Sequence, residues 1–208
     1  PSLPQFFPHF SSYVWLDSDC WVQNEEGIAD LVAGAGASDI AIHPECDPHY
    51  FWTKTPSDRT VGIYRRIFAK NVGPALWNYP MVNAGVFAAR HDSKLWKEWR
   101  TLLDRIRDRH GAGGKRIYFS DQIPLHYLIF SKRLSMFPIR ARNNWQLYSS
   151  TPSIDIHRKK VVVPTPPHED INIIHLAGAT KDTLVRVPSL NREISFRYSA
   201  IRRILQEL

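Results

Sequence analysis

The chain has 208 residues, 43% hydrophobic and 23% charged, which suits one folded domain, 1–208, and excludes disorder as the default state. Lysine and arginine number 27 against 20 acids, a net charge of +7, but the basic residues are scattered and no stacking motif accompanies them, so nucleic acid is not an expected partner. Cys20 and Cys46 are too few for a disulfide framework, no run approaches the ~20 apolar residues of a membrane span, and Pro1 to Phe10 is not a charged-then-apolar leader.

In chain order, Tyr13-Val14-Trp15-Leu16 is an apolar run that ends in acids and reads as a buried strand. Ile40-Ala41-Ile42 reads as a second. The stretch 43–60, rich in proline, histidine and aspartate, reads as a loop of the length that forms lids and binding loops. From Asp92 onward Leu95, Trp96, Trp99, Leu102, Leu103 and Ile106 recur at helical steps, with Asp92 or Ser93 as cap and His110-Gly111 as the end. Gly111 to Lys115 reads as a turn. Ser120-Asp121-Gln122 opens another helix through Leu125, Leu128 and Ile129, with Pro124 early enough to cost little. Val161 to Val163 and Ile171 to Ile174 are further strands, and Tyr198, Ile201, Ile204, Leu205 and Leu208 mark a closing amphipathic helix. Strands alternating with helices argue for an α/β layer fold, in which ligands sit beyond the carboxyl ends of strands.

Asp17 and Asp19 lie at such an end. Two carboxylates one residue apart, on a chain leaving a strand, can face one hard divalent cation that also holds substrate phosphates; turn chemistry accounts for them equally well. His175 follows Asn172-Ile173-Ile174 and also ends an apolar strand, where a neutral imidazole suits manganese. Gly178 allows close backbone approach, and Lys181 can neutralise a phosphate as a point charge. His43, His49 and His168 are loop histidines. Trp52, Tyr64, Trp77 and Tyr79 flank the segment before Asn83 and suit sugar stacking or core packing. Arg140 and Arg142 suit an anionic acceptor or a solvated face.

These segments resemble a known family. Tyr13-Val14-Trp15-Leu16-Asp17-Ser18-Asp19 is similar to the Asp-x-Asp strand of GT-A glycosyltransferases, and His175-Leu176-Ala177-Gly178-Ala179-Thr180-Lys181 to the His-x-x-Gly-x-x-Lys segment of the family 8 type, which includes bacterial lipopolysaccharide galactosyltransferases and glycogenin. Asn83-Ala84-Gly85-Val86 resembles its donor-sugar segment and Asp121-Gln122 its Asp-Gln helix start, all in the family's order. Asp182-Thr183 replaces the usual Pro-Trp, and Ile123-Pro124 the usual residues after Asp-Gln.

The resemblance implies a GT-A-like sheet flanked by helices and a metal-dependent transfer of sugar from a nucleotide-sugar donor, UDP-linked, to a saccharide or lipid-linked acceptor. It implies Mn²⁺ or Mg²⁺ on Asp17, Asp19 and His175, and the donor on Asn83, Ala84, Gly178 and Lys181. Asp121 and Gln122 would stand at the reacting centre, with a helix N-cap as Asp121's other reading. It implies a cytoplasmic enzyme at a membrane surface, where Arg202-Arg203 would meet anionic lipid, or one in the secretory lumen. Since only Pro1 to Ser12 precede the acidic strand, and no initiator methionine is present, the base- and ribose-binding unit is expected to lie outside this sequence. Two other readings stand beside this one. One is a haloacid-dehalogenase-type phosphohydrolase with Glu169-Asp170 as its downstream acids. The other is a donor-binding or scaffold module without catalysis.

Overall fold

The computed structural model describes residues 1–50, 58–68, 72–110, 122–131 and 133–208. Trp52, Gly111 to Lys115, Ser120 and Asp121 therefore lie outside the described residues.

A short helix α1 (Leu3–Phe6) precedes β1 (Ser12–Leu16) and β2 (Cys20–Val22). Then come α2 (Glu26–Ala37), β3 (Ile40–Pro44), α3 (Asp58–Ile67), α4 (Val72–Leu76), β4 (Val82–Arg90), α5 (Leu95–His110) and α6 (Gln122–Phe130). The second half holds β5 (Met136–Pro138), β6 (Trp145–Gln146), β7 (Ser153–Asp155), β8 (Lys160–Val162), β9 (Ile173–His175), β10 (Val185–Val187), β11 (Arg192–Ile194) and α7 (Tyr198–Glu207).

The first sheet runs β1-β4-β3-β5. β4 is antiparallel to both neighbours, and β3 pairs β5 in parallel. Val82 to Ala89 are all buried, so β4 shows no in–out alternation: both of its faces are covered. The sequence expectation contained no strand there, nor α2, whose Gly- and Ala-rich composition gives a weak helical pattern. α2 packs across β4, β3 and β1. On the other side α5 and α6 cover the sheet. Leu95, Trp96, Trp99, Leu102 and Ile106 form the buried stripe of α5, as its spacing predicts, and Ser93 caps it by accepting the Leu95 N–H at 3.1 Å. α6 buries Ile123, Leu125, Leu128 and Ile129, each worth roughly 1.5–3 kcal/mol relative to exposure.

The second sheet runs β2-β9-β6, with β9 antiparallel to β2 and parallel to β6. Its core gathers Trp145, Val161, Ile171, Ile174, Phe196 and Ile201, the last from α7. Leu31, Ala41, Val86, Ala88 and Ile173 form an apolar seam between the two sheets. Part of the stretch read as loop is ordered structure: His43 and Pro44 end β3, and Asp58 begins α3. Among the described residues no helix is long and apolar enough to cross a membrane.

Candidate metal and phosphate site

β1 stops at Leu16, and the chain closes a tight turn in which the Cys20 N–H donates to the Asp17 carbonyl at 3.0 Å. The Asp17 N–H donates to the Gly85 carbonyl at 2.8 Å, and the Trp15 indole donates to Asp17 Oδ1 at 2.8 Å. The Asp19 carbonyl accepts from the Leu176 N–H at 2.9 Å, which ties the turn to the end of β9. There His175 stands in register between Cys20 of β2 and Gln146 of β6. Its Nε2 lies 3.3 Å from Asp19 Oδ1.

Gly85 on β4 forms the third side. A Cβ built on it would lie 2.3 Å from His175 Cε1, 2.9 Å from Asp17 Oδ2 and 3.0 Å from His175 Nε2. Asp17 and His175 therefore crowd one point, and only glycine lets β4 approach it. The fourth side is the 3-10 turn Gly178–Asp182, which Gly178 enters at φ 66°. That turn brings Lys181 Nζ to 3.7 Å from Asp19 Oδ2, with half of the lysine side chain exposed. The structure thus brings Asp17, Asp19, His175 and Lys181 together.

Burial holds the His175 pKa below its ordinary value, against the opposing pull of Asp19, Asp17 and Glu45, so the ring is neutral at neutral pH. Asp19 Oδ1 is buried and makes no hydrogen bond, even with the imidazole so near. A carboxylate oxygen and a neutral ring nitrogen facing each other, with a second carboxylate alongside, suit a divalent cation such as Mn²⁺ or Mg²⁺. Cys20 also lies in this cluster. Burial, then the charges of Asp19 and Asp17, push its thiol well up, so it stays protonated, with Sγ 3.8 Å from the Gly85 carbonyl.

Behind the cluster lies a buried polar chain. His175 Nδ1 is 3.0 Å from Asn144 Oδ1, Asn144 Nδ2 donates to Asn83 Oδ1 at 3.0 Å, and Asn83 Nδ2 donates to Glu45 Oε1 at 3.3 Å. Gln122 Nε2, at the start of α6, donates to the same Glu45 oxygen at 3.4 Å, and Tyr148 OH at 2.9 Å. Asn83 and Gln122 thus share one wall. Ala84 between Asn83 and Gly85 packs into the first sheet's core. Glu45 and Asn144 were not singled out from the sequence. Glu45 carried the signal that marked Asp17, an acid just past an apolar strand.

The remaining sequence candidates sit elsewhere. His43 is buried with Nδ1 3.0 Å from the Ile139 carbonyl, His49 meets Thr165, and His168 the Val163 carbonyl. Tyr64 lies in the core, while Trp77 and Tyr79 are partly exposed. Arg140 pairs with Glu169, and Arg142 with Glu26.

The same arrangement of sheet and helices occurs in the galactosyltransferase LgtC, solved in complex with donor and acceptor sugar analogues. The match covers 100% of this chain and 65% of that chain, at a TM-score of 0.51 and 12% identity. The fold is GT-A-like. Mouse xyloside xylosyltransferase 1, in its apo form, overlaps 84% of this chain and 60% of its own length at 18% identity and a TM-score of 0.43. This chain therefore spans less than two-thirds of either solved structure. By sequence, no family model matches it and no curated protein matches it. In this GT-A-like frame the acidic turn and His175 lie at the ends of strands from two different sheets.

Proposed function

We propose that this chain is the metal- and phosphate-binding part of a glycosyltransferase that moves a sugar from a UDP-linked donor to a saccharide or lipid-linked acceptor. The observation that carries the reading is the buried, unbonded Asp19 oxygen facing a neutral His175 nitrogen, on a GT-A-like fold. Asp17, Asp19 and His175 would hold the cation. When bound, it neutralises charge on the donor diphosphate. Lys181 brings its ammonium to the same carboxylate and stabilises the negative charge that grows on the diphosphate as its bond to the sugar breaks. Asn83 and Gln122 would form the donor-sugar wall from β4 and α6, with the Asn83 amide held by Glu45, Asn144 and the Gly85 N–H and the Gln122 NH₂ on Glu45, and Asp121 next in sequence to Gln122. Gly178 lets the Lys181 turn close over the phosphates.

The phosphohydrolase reading would need Glu169 or Asp170 beside the acidic turn. Both are instead committed to basic partners, Glu169 to Arg140 and Asp170 to Lys160 and Arg158.

Calorimetry with UDP on the full-length protein, with and without Mn²⁺, tests the reading. UDP is expected to bind with Mn²⁺ and to lose at least about tenfold in affinity without it, about 1.4 kcal/mol. Asp19→Ala is expected to erase the difference. Equal UDP affinity in both conditions for the unaltered chain would remove the metal bridge from the mechanism.

A further inference from the structure

A neutral imidazole carries one ring proton, and its position decides which nitrogen keeps a lone pair. In this chain that position follows from a backbone group three hydrogen bonds away. The Gly85 N–H donates to Asn83 Oδ1 at 3.0 Å, and a backbone N–H has no alternative role. The Asn83 oxygen is therefore fixed on that side, and its NH₂ faces Glu45 Oε1. Asn144 meets the Asn83 oxygen and must present its own NH₂ there, at 3.0 Å. Its oxygen is left for His175 Nδ1, also at 3.0 Å. Amide orientation in such a chain is set by the network, and here one end of the network is invariant.

We propose that Glu45, Asn83 and Asn144 form a relay that holds His175 as its Nδ1-protonated tautomer and turns the bare Nε2 toward Asp17 and Asp19. They act as positioning residues for His175. The use of that lone pair, to bind a divalent cation, rests on the reading proposed above. Glu45, Asn83 and Asn144 are 1%, 6% and 0% exposed, so water does not substitute for a missing link. The opposite tautomer would set the Nδ1 lone pair against the Asn144 oxygen. Flipping both amides to relieve that contact would turn an NH₂ on the Gly85 N–H. Each arrangement breaks a contact within the amide chain; the relay as found breaks none there and leaves the bare Nε2 facing the buried, unbonded Asp19 Oδ1 at 3.3 Å, where a cation would sit. Partners that orient a metal-binding histidine through its second nitrogen typically affect metal affinity 10–100-fold.

The test reads the tautomer directly. Long-range ¹H–¹⁵N spectra of the ¹⁵N-labelled full chain, without metal, are compared with those of His175→Ala to assign the ring. The unaltered protein is expected to show a proton on Nδ1 and a bare Nε2. Asn144→Ala is expected to mix the two tautomers and to lower Mn²⁺ affinity by about 10–100-fold in calorimetry. Asn144→Asp, which returns an accepting oxygen to Nδ1 but not the donor to Asn83, is expected to restore the Nδ1 proton and part of the affinity. An unaltered His175 protonated on Nε2 overturns the relay, whether or not Mn²⁺ binds. A folded Asn144→Ala chain that keeps the Nδ1 proton and Mn²⁺ affinity within about twofold overturns it too. If Asn144→Ala does not fold, the unaltered ring and Asn144→Asp decide. An Nδ1-protonated ring in a chain that binds no Mn²⁺ upholds the relay and removes the metal reading instead.

Discussion

His175 and Lys181 reach the same carboxylate from one short segment, yet they are held in opposite ways. His175 is locked in a three-stranded sheet, buried, with its far nitrogen on Asn144. Lys181 stands on a 3-10 turn with half its side chain in solvent. Arg197 holds that turn from outside, through the Lys181 carbonyl and the Asp182 carboxylate. An exposed Lys–Asp pair contributes about 0–1 kcal/mol to stability, so folding does not account for Lys181. The buried wall fixes geometry, and the exposed wall supplies charge. Enzymes that stabilise a leaving anion need both: preorganised ligands, and a cation that a bulky substrate can reach.

If the buried wall sets the geometry, the severest break is steric. Gly85→Ala would push a methyl group into His175 Cε1 and Asp17 Oδ2. Mn²⁺ affinity is expected to fall by about 10²-fold or more with the fold intact by circular dichroism. A folded Gly85→Ala chain with Mn²⁺ affinity within twofold of the parent would show that the ligands do not converge at Gly85.

Lys181→Ala probes the exposed wall. It is expected to lower kcat by about 10²-fold while Mn²⁺ affinity, measured without nucleotide, stays within about twofold. Steady-state kinetics on the full-length enzyme beside calorimetry make the check. A loss of metal affinity with kcat unchanged would reverse the division between the walls.

The smallest effect is expected at Cys20, which sits in the cluster as a protonated thiol. Cys20→Ser should change Mn²⁺ affinity by less than about threefold. A larger drop in the titration would make the thiol a ligand and the site softer than argued.

Much of this was legible in the sequence because the decisive residues end apolar runs. Asp17 and His175 follow uninterrupted hydrophobic stretches, and strand ends are where a layered sheet exposes function. The α5 stripe and the closing helix were legible by period alone. β4 was not. A strand covered on both faces has no alternation to read, and Asn83 and Gly85 within it suggest a turn. Glu45 and Asn144 were hidden for a related reason. Their burial comes from partners far away in the chain, Asn83 for both and Tyr148 for Glu45. Local composition around Glu45, with prolines and histidines close by, described a solvated loop.

The pleat of β4 also bears on which changes in chain length the molecule can absorb. β1 fixes the phase of β4 only from Val86 to Arg90, and the register with β3 jumps from Phe87 opposite Ile42 to Asn83 opposite His43, so residues 84–86 bulge and let Asn83 accept from the Gly85 N–H. One residue inserted between Asn83 and the β1 ladder would reshape that bulge and carry Asn83 away from the Gly85 N–H and Asn144, without altering any amino acid there. Substitutions on the surfaces of α5 or α7 leave this phase untouched. Tolerance to insertions and deletions, scanned along β4, would trace the working strand more sharply than tolerance to substitution.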